Sequence, residues 1–358
     1  MKRDFEIVKL RFDGPLHLSR GKLDYASSHE ILHSDTLKSA LFAAAMLAGI
    51  DVARGQISEN GNCKNEFLDG FNVSSAFPFY DDEFFFPKPK CEMQEVLEGG
   101  EKDRKGKKDL AFIGQSYLEE ILLASEAKPI SKIIEKEKHV WGRKFASEKM
   151  LSLAMKKHPE DEDFFIASED NVMMRVAVPR HVENKNQNSR PYYLERMFFP
   201  KAGGLYFFVE ILNNKHRITL ETALEMLGES GIGTDRNVGN GQFAHEFSTL
   251  TLDVPDNPTH QMLLSLCCPN EKEAKVIANS KSTYALVKRG GYISSPAQND
   301  DFMAYRKKSI FMMDEGSILP AGEIRGILHD LKPEIMTEHP IWRDGRAFTL
   351  PINPTWND

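Results

Sequence analysis

The chain has 358 residues, is 41% hydrophobic and 28% charged and carries a formal net charge of −7, an ordinary globular composition with length for one large domain or two ordinary ones. That acidic balance argues against a protein that coats bare nucleic acid by charge alone, while leaving room for a local basic groove. Cys63, Cys91, Cys267 and Cys268 form no C-x-x-C pair and stand apart from any His cluster at zinc spacing, so no metal or other cofactor is expected and a reduced, cytoplasmic setting is the simplest.

Phe5 to Phe12 alternates, with Val8, Leu10 and Phe12 on one side and Phe5, Ile7, Lys9 and Arg11 on the other, which predicts a strand with one partly basic face. It begins almost at the first residue without a leader's apolar core, and no apolar run approaches the ~18 residues of a membrane span. A loop with His17 and Arg20 leads to a helix opening at His33-Ser-Asp-Thr. Ser34 is a good N-cap and Asp35 suits the positive end of the dipole. The free N–H groups at Ser34 and Thr36, with Lys38 beside them, make that helix start a candidate anion site as well as a plain cap. Residues 51–75 read as loops and turns, Glu83 to Phe86 as a short strand, 97–108 as a mobile linker and 110–158 as a mostly helical insertion.

Val172 to Val178 and Leu205 to Leu212 alternate as strands. Between them, Pro179 to Gly203 mixes Arg180, His181, Arg190 and Arg196 with Tyr192, Tyr193, Phe198 and Phe199. A structureless loop of that length is improbable in a compact domain, so the stretch predicts a protruding hairpin. Cations interleaved with aromatics suit a nucleic-acid strand; docking on another protein is the competing use. Thr219 to Leu227 has helical spacing and Gln242 to Leu252 reads as a strand. Between them lies Gly231-Ile-Gly-Thr-Asp-Arg-Asn-Val-Gly-Asn-Gly241. Helix, loop, strand is the wrong order for a Walker loop or a dinucleotide fingerprint. The elements give β-α-β-β-α-β, the ferredoxin-like order, whose sheet leaves one face open for RNA in recognition modules. Past Pro255–Pro258 a smaller α+β unit follows. The fold class is α+β, with units at 1–254 (insertion about 97–165, hairpin about 179–203, glycine loop 231–241) and 255–358.

Four stretches carry a resemblance: HSDTLKSALFAAA, GIGTDRNVGNGQF, LVKRGGYISSP and HPIWRDGRAFTLPI. With them the chain resembles the RAMP superfamily of CRISPR-associated proteins and, more narrowly, the fourth-subunit family of the Csm effector complex of type III-A systems. The resemblance implies two ferredoxin-like (RRM-like) domains, a thumb hairpin and a glycine-rich loop. It implies a non-catalytic subunit of an antiviral ribonucleoprotein that caps the 5′ repeat-derived handle of the crRNA and bridges the large cyclase/polymerase-like signature subunit to the backbone RAMP subunit. Target RNA near the handle is a further partner; the active sites belong to the other subunits.

On that reading the backbone amides of Gly231, Gly233, Thr234, Gly239 and Gly241 face handle phosphates, and Arg236 adds a bidentate contact unless it pairs with Asp235. Arg175, with Lys9 and Arg11, lines the open sheet face, while Arg180, His181 and Arg196 lie on the hairpin. Lys288, Arg289, Gly290 and Gly291 form a basic turn with Tyr292 placed to stack a base. Arg343 and Arg346 are lesser candidates. Two other readings stand beside this one: a metal-independent RAMP endoribonuclease with His33 or His17 as general base, and a scaffold that binds protein alone.

Overall fold

The structure, a computed structural model, describes residues 1–21, 24–28, 31–52, 55–57, 63–91, 110–124, 139–140, 145–147, 172–177, 190–293, 305–322, 324–336 and 339–354. Its first strand, β1 (Lys2–Phe12), buries Val8 and Leu10 on one face and Phe5 and Ile7 on the other. α1 (Ser34–Leu47) buries Leu37, Leu41, Ala44 and Ala45, an apolar stripe at helical spacing. Next come β2 (Phe71–Val73), β3 (Phe77–Tyr80), β4 (Glu83–Pro87), β5 (Phe112–Gly114) and α2 (Gln115–Leu122). They are followed by β6 (Val172–Ala177), β7 (Arg190–Glu195), β8 (Gly203–Ile211), α3 (Asn214–Ser230) and β9 (Phe243–Asp253). The last third contains β10 (His260–Leu263), α4 (Glu271–Ala278), β11 (Leu286–Arg289), β12 (Ile310–Met313), β13 (Ile318–Pro320) and β14 (Thr349–Ile352).

The fold is mixed α/β with antiparallel sheets. In the main sheet β9 pairs β1, β1 pairs β8 and β8 pairs β3, and the order continues through β4 and β5 to Phe145–Ala146 and His139–Val140. β1 and β9 stay in unbroken register from Lys2↔Asp253 to Phe12↔Phe243. The expected ferredoxin-like order would set Val172–Val178 in one sheet with the strand at 205–212. Instead β6 pairs β7, with Arg175 opposite Tyr192, in a separate hairpin. The places beside β8 go to β2, from the stretch that read as loops and turns, and to β3, just before the strand expected at Glu83 to Phe86. Alternation identifies a strand without naming its partner. The stretch read as a helical insertion opens with a strand, β5, which joins the main sheet, and then α2. The rest of it described here is two short strands; 125–138, 141–144, 148–158 and the linker 97–108 lie outside the described residues.

Helices α1 and α3 cover the Val8 and Leu10 face. The opposite face, expected to stay open, is closed by the last third of the chain and α2. Met262, Leu264, Phe348, Leu350 and Ile352 share one core with Phe5, Ile7, Tyr206 and Phe208, and the Phe208 and Phe348 rings lie 5.6 Å apart. Burial at about 25 cal/mol per Å² of apolar surface favours that closure. At the uncovered end Lys9 and Arg11 are half-buried, with their cationic groups 5.5 and 5.2 Å from the Phe79 ring centroid. They lie on aromatic faces as cation–π partners rather than along an open channel.

Candidate nucleic-acid interface

α3 ends at Gly231, whose φ of +77° suits glycine; its amide donates to Leu227 O at 2.8 Å. Residues 231–241 then close on themselves through Ile232 N–H to Gly241 O, 2.9 Å. A Cβ on Gly241 would sit 1.9 Å from Ile232 O, so only glycine allows that approach. Between the closing ends Arg236–Val238 makes a single 3₁₀ turn, flanked by Asp235 and Gly239 in left-handed conformations.

The loop is docked on the segment after β1. Thr234 N–H donates to His17 O at 3.1 Å and Gly241 N–H to Pro15 O at 2.9 Å. The same segment holds the end of the β6–β7 hairpin: Leu16 and Met197 exchange two backbone bonds of 2.8 Å, and His17 Nδ1 lies 2.7 Å from Glu195 O. Phe12 stacks on Phe199 at 4.9 Å. Three pieces distant in sequence therefore meet at one end of the sheet, with Arg236, Asn237, Val238 and Phe198 exposed there. Of the five amides expected to face phosphates, four are committed inside the chain: Gly231 to Leu227, Thr234 to His17, Gly239 to Arg236 and Gly241 to Pro15. Among the described residues only the Gly233 amide makes no such bond, and Arg236 forms no ion pair there, with Asp235 or any other carboxylate. The loop is shaped by its glycines and offers side chains at its tip.

The start of α1 differs from its sequence reading. Ser34 N–H donates to Ser75 Oγ at 2.8 Å, and Ser34 Oγ accepts Leu266 N–H at 3.1 Å. The anion at the helix start is the chain's own Asp35, fully buried between Arg289 (2.8 and 2.9 Å) and Arg343 (2.6 Å), with Thr36 Oγ1 also accepting from Arg289. Burial works to raise the Asp35 pKa; Arg343 and then Arg289 outweigh it and hold the carboxyl well below the usual range. Lys38 Nζ is buried, 2.6 Å from Asp344 and 3.0 Å from Phe71 O. Asp344 in turn takes Arg346, which reaches Asp69 at 2.6 Å. Ser34, Thr36, Lys38, Arg289, Arg343 and Arg346 thus form an ionic seam joining the two parts of the chain, not an anion-binding surface. A buried carboxylate requires such partners. They were hidden because Arg289 and Arg343 lie 254 and 308 residues from Asp35. The signal available was the run of charges in the otherwise apolar Trp342-Arg-Asp-Gly-Arg-Ala-Phe348.

His33 Nδ1 lies 2.8 Å from the buried Glu315 carboxylate, which also binds Ser75 Oγ. Burial works to lower the His33 pKa, but the Glu315 charge and hydrogen bond prevail and raise it. His17 is buried too. Neither imidazole faces a surface where an RNA 2′-OH could meet it, so the geometry gives the endoribonuclease reading no base. Lys288 is exposed on β11, Gly290 packs against Ser309, and Tyr292 pairs with Arg306, whose guanidinium lies 5.3 Å from its ring. Arg175 sits on β6 and Arg196 just past β7; Arg180 and His181 lie outside the described residues. Among the described residues no cluster of three or more His, Cys, Asp or Glu is placed to hold a metal, and no helix is long and apolar enough to cross a membrane.

Comparison with known proteins converges on one family. A family model described as the CRISPR Csm4 C-terminal domain matches residues 256–352. The CRISPR system Cms protein Csm4 of Thermococcus onnurineus (strain NA1) is 26% identical over 327 residues, 90% of this chain and 92% of that protein. The protein of the same description from Mycobacterium tuberculosis (strain CDC 1551 / Oshkosh) is 25% identical over 179 residues, 49% of this chain and 56% of its own. The fold is similar to a chain in the crystal structure of the Csm3-Csm4 subcomplex in the type III-A CRISPR-Cas interference complex, with a TM-score of 0.60 at 19% identity, covering 98% of this chain and 100% of that one. A chain of the Csm1-Csm4 cassette in complex with pppApA gives 0.54 at 18% identity, covering 99% of each. Family domain, relatives and fold agree: residues 256–352 match the Csm4 C-terminal domain, and the chain is similar over 90% of its length to a Csm4 protein and shares its fold with chains of Csm4-containing assemblies.

Proposed function

We propose that the chain is a non-catalytic RNA-binding subunit of a type III-A CRISPR effector. It caps the 5′ repeat-derived handle of the crRNA with the end of the main sheet where glycine loop, Pro15–His17 and hairpin meet. It stands between the large signature subunit and the backbone subunit, and the effector's catalytic work is done by those neighbours. The reading takes the chain as two ferredoxin-like units, 1–254 and 255–358, acting in the cytoplasm.

The observation that carries it is the docking of loop and hairpin on one short segment, with Arg236 and Asn237 exposed on the loop and Phe198 exposed at the hairpin's end. A guanidinium, an amide and an aromatic ring suit a single-stranded RNA, taking phosphate and base edges with the first two and a base face with the third. Relatives described as Csm4, and a similar fold in Csm1-Csm4 and Csm3-Csm4 assemblies, support the setting. Gly233 supplies the remaining backbone donor, and Arg175, Arg180, His181 and Arg196 extend the contact along the hairpin. The test is co-expression with the neighbouring effector genes, followed by handle-RNA binding to the purified complex. Shortening the tip at 235–239 is expected to release the handle while leaving assembly intact; normal assembly with undiminished handle retention overturns the proposal.

A further inference from the structure

β11 and β12 form a two-stranded ribbon outside the main sheet, with Leu286 opposite Met313 and Lys288 opposite Phe311. Directly paired residues share a face, so Leu286, Lys288, Phe311 and Met313 lie on one side, where Met313 is buried at the Leu286 end and the other three are exposed. The other side carries Arg289, which reaches into the seam to Asp35, and the buried Met312. The ribbon is thus pinned by its inner face. Its outer face exposes 57% of Leu286 and 61% of Phe311, and Tyr284, two residues before Leu286, exposes 45%. Single exposed apolar residues are ordinary, but Leu286 and Phe311 exposed on one face of an anchored ribbon, with Tyr284 exposed in the segment that leads into it, make a candidate contact surface.

We infer that the outer face of this ribbon, Leu286 and Phe311 with Lys288, together with Tyr284 just before it, docks a partner protein through an apolar element bordered by carboxylates. Charge decides among occupants. Lys288 stands within the apolar strip and Lys308 is exposed just before β12, and neither makes an ion pair among the described residues. In a chain of net charge −7 this is a local reversal of sign, which selects an acidic partner and steers its approach. A two-fold contact between copies of this chain through this face would bring two lysine-bearing strips of the same sign together. RNA is disfavoured because aliphatic Leu286 holds the middle of the strip without a π-face, and Arg289 is turned away into the seam.

The inference takes its choice of partners from the effector-subunit reading but does not depend on handle binding, which the RNA content of the same complex reports separately. In the co-expressed complex, p-benzoylphenylalanine placed at position 311 is expected to crosslink another protein subunit, at a segment that mass spectrometry maps beside Asp or Glu. Crosslinking to RNA, to a second copy of this chain or to nothing overturns the inference. Leu286→Lys is expected to weaken that subunit's affinity at least about tenfold, the scale of an interface hot spot, with the melting temperature unchanged. Lys288→Glu is expected to cost less, and to cost nothing at high salt. Unchanged affinity in Leu286→Lys overturns the inference independently of the crosslink.

Discussion

Two polar sites of this chain look alike on paper and have opposite fates. The start of α1 and the loop 231–241 both combine a local turn, a carboxylate and nearby cations, and both read as places to hold a phosphate. At α1 the carboxylate is buried and the cations come to it from the far end of the chain. At the loop four of the five amides expected to face phosphates are bonded within the chain and the cation is left outside. The difference teaches that a polar motif becomes a ligand site only when its own fold leaves a group unspent. Here most of the loop's amides and Arg289, Arg343 and Arg346 are spent on the interior.

The sharpest way to break this contrast is to remove the seam's central charge. Asp35→Ala leaves Arg289 and Arg343 without their buried partner, and urea unfolding is expected to show a loss of about 3–5 kcal/mol. A loss no larger than an exposed ion pair's would mean the seam is not structural. Gly241→Ala comes next. The new Cβ would lie 1.9 Å from Ile232 O at a φ of +72°, and thermal melts are expected to report about 2–3 kcal/mol of backbone strain. Gly239→Ala, whose nearest neighbour would be 3.7 Å away, should lose only the left-handed penalty of about 1–2 kcal/mol.

Arg236→Ala tests the other half of the comparison. Melting is expected to stay unchanged while handle affinity falls several-fold. The slope of log K against log salt should become shallower by about 0.7 for one lost phosphate contact on a single strand; an unchanged slope would take Arg236 out of the interface. The smallest effect concerns pH. The folded-state pKa of His33 is raised above 6.5, so its stabilisation is full below that value and is lost as pH rises through the raised one. Melting temperature measured from about pH 6 to 9 should fall in the parent, and His33→Gln should remove that part of the fall.

Local elements were legible because their signals are local. The alternation of β1, the stripe of α1 and the run into β9 each depend on residues a few positions apart, and their ends fall within a few residues of the pattern. The glycine loop was legible as a special backbone, and four of its glycines do take positive φ. Pairing was not. Nothing in Val172–Ala177 says that it will close on Arg190–Glu195 instead of lying beside β8. Nor does anything in Phe5 or Ile7 say that Phe348 and Leu350 will cover them. The fate of Lys38 was hidden for the same reason: a lysine on the first turns of a helix has the same sequence whether its ammonium meets water or Asp344.

The roofing of the main sheet on both broad sides has one more consequence. A β-platform with a bare face can lay several bases side by side; a sheet filled above and below has only its rim to give. Here that rim is the corner where β1 ends and β9 begins. On the proposed handle-capping role, the guide is expected to be pinched there over a few nucleotides, as in a clasp, and protection of the crRNA from chemical probing to be correspondingly short.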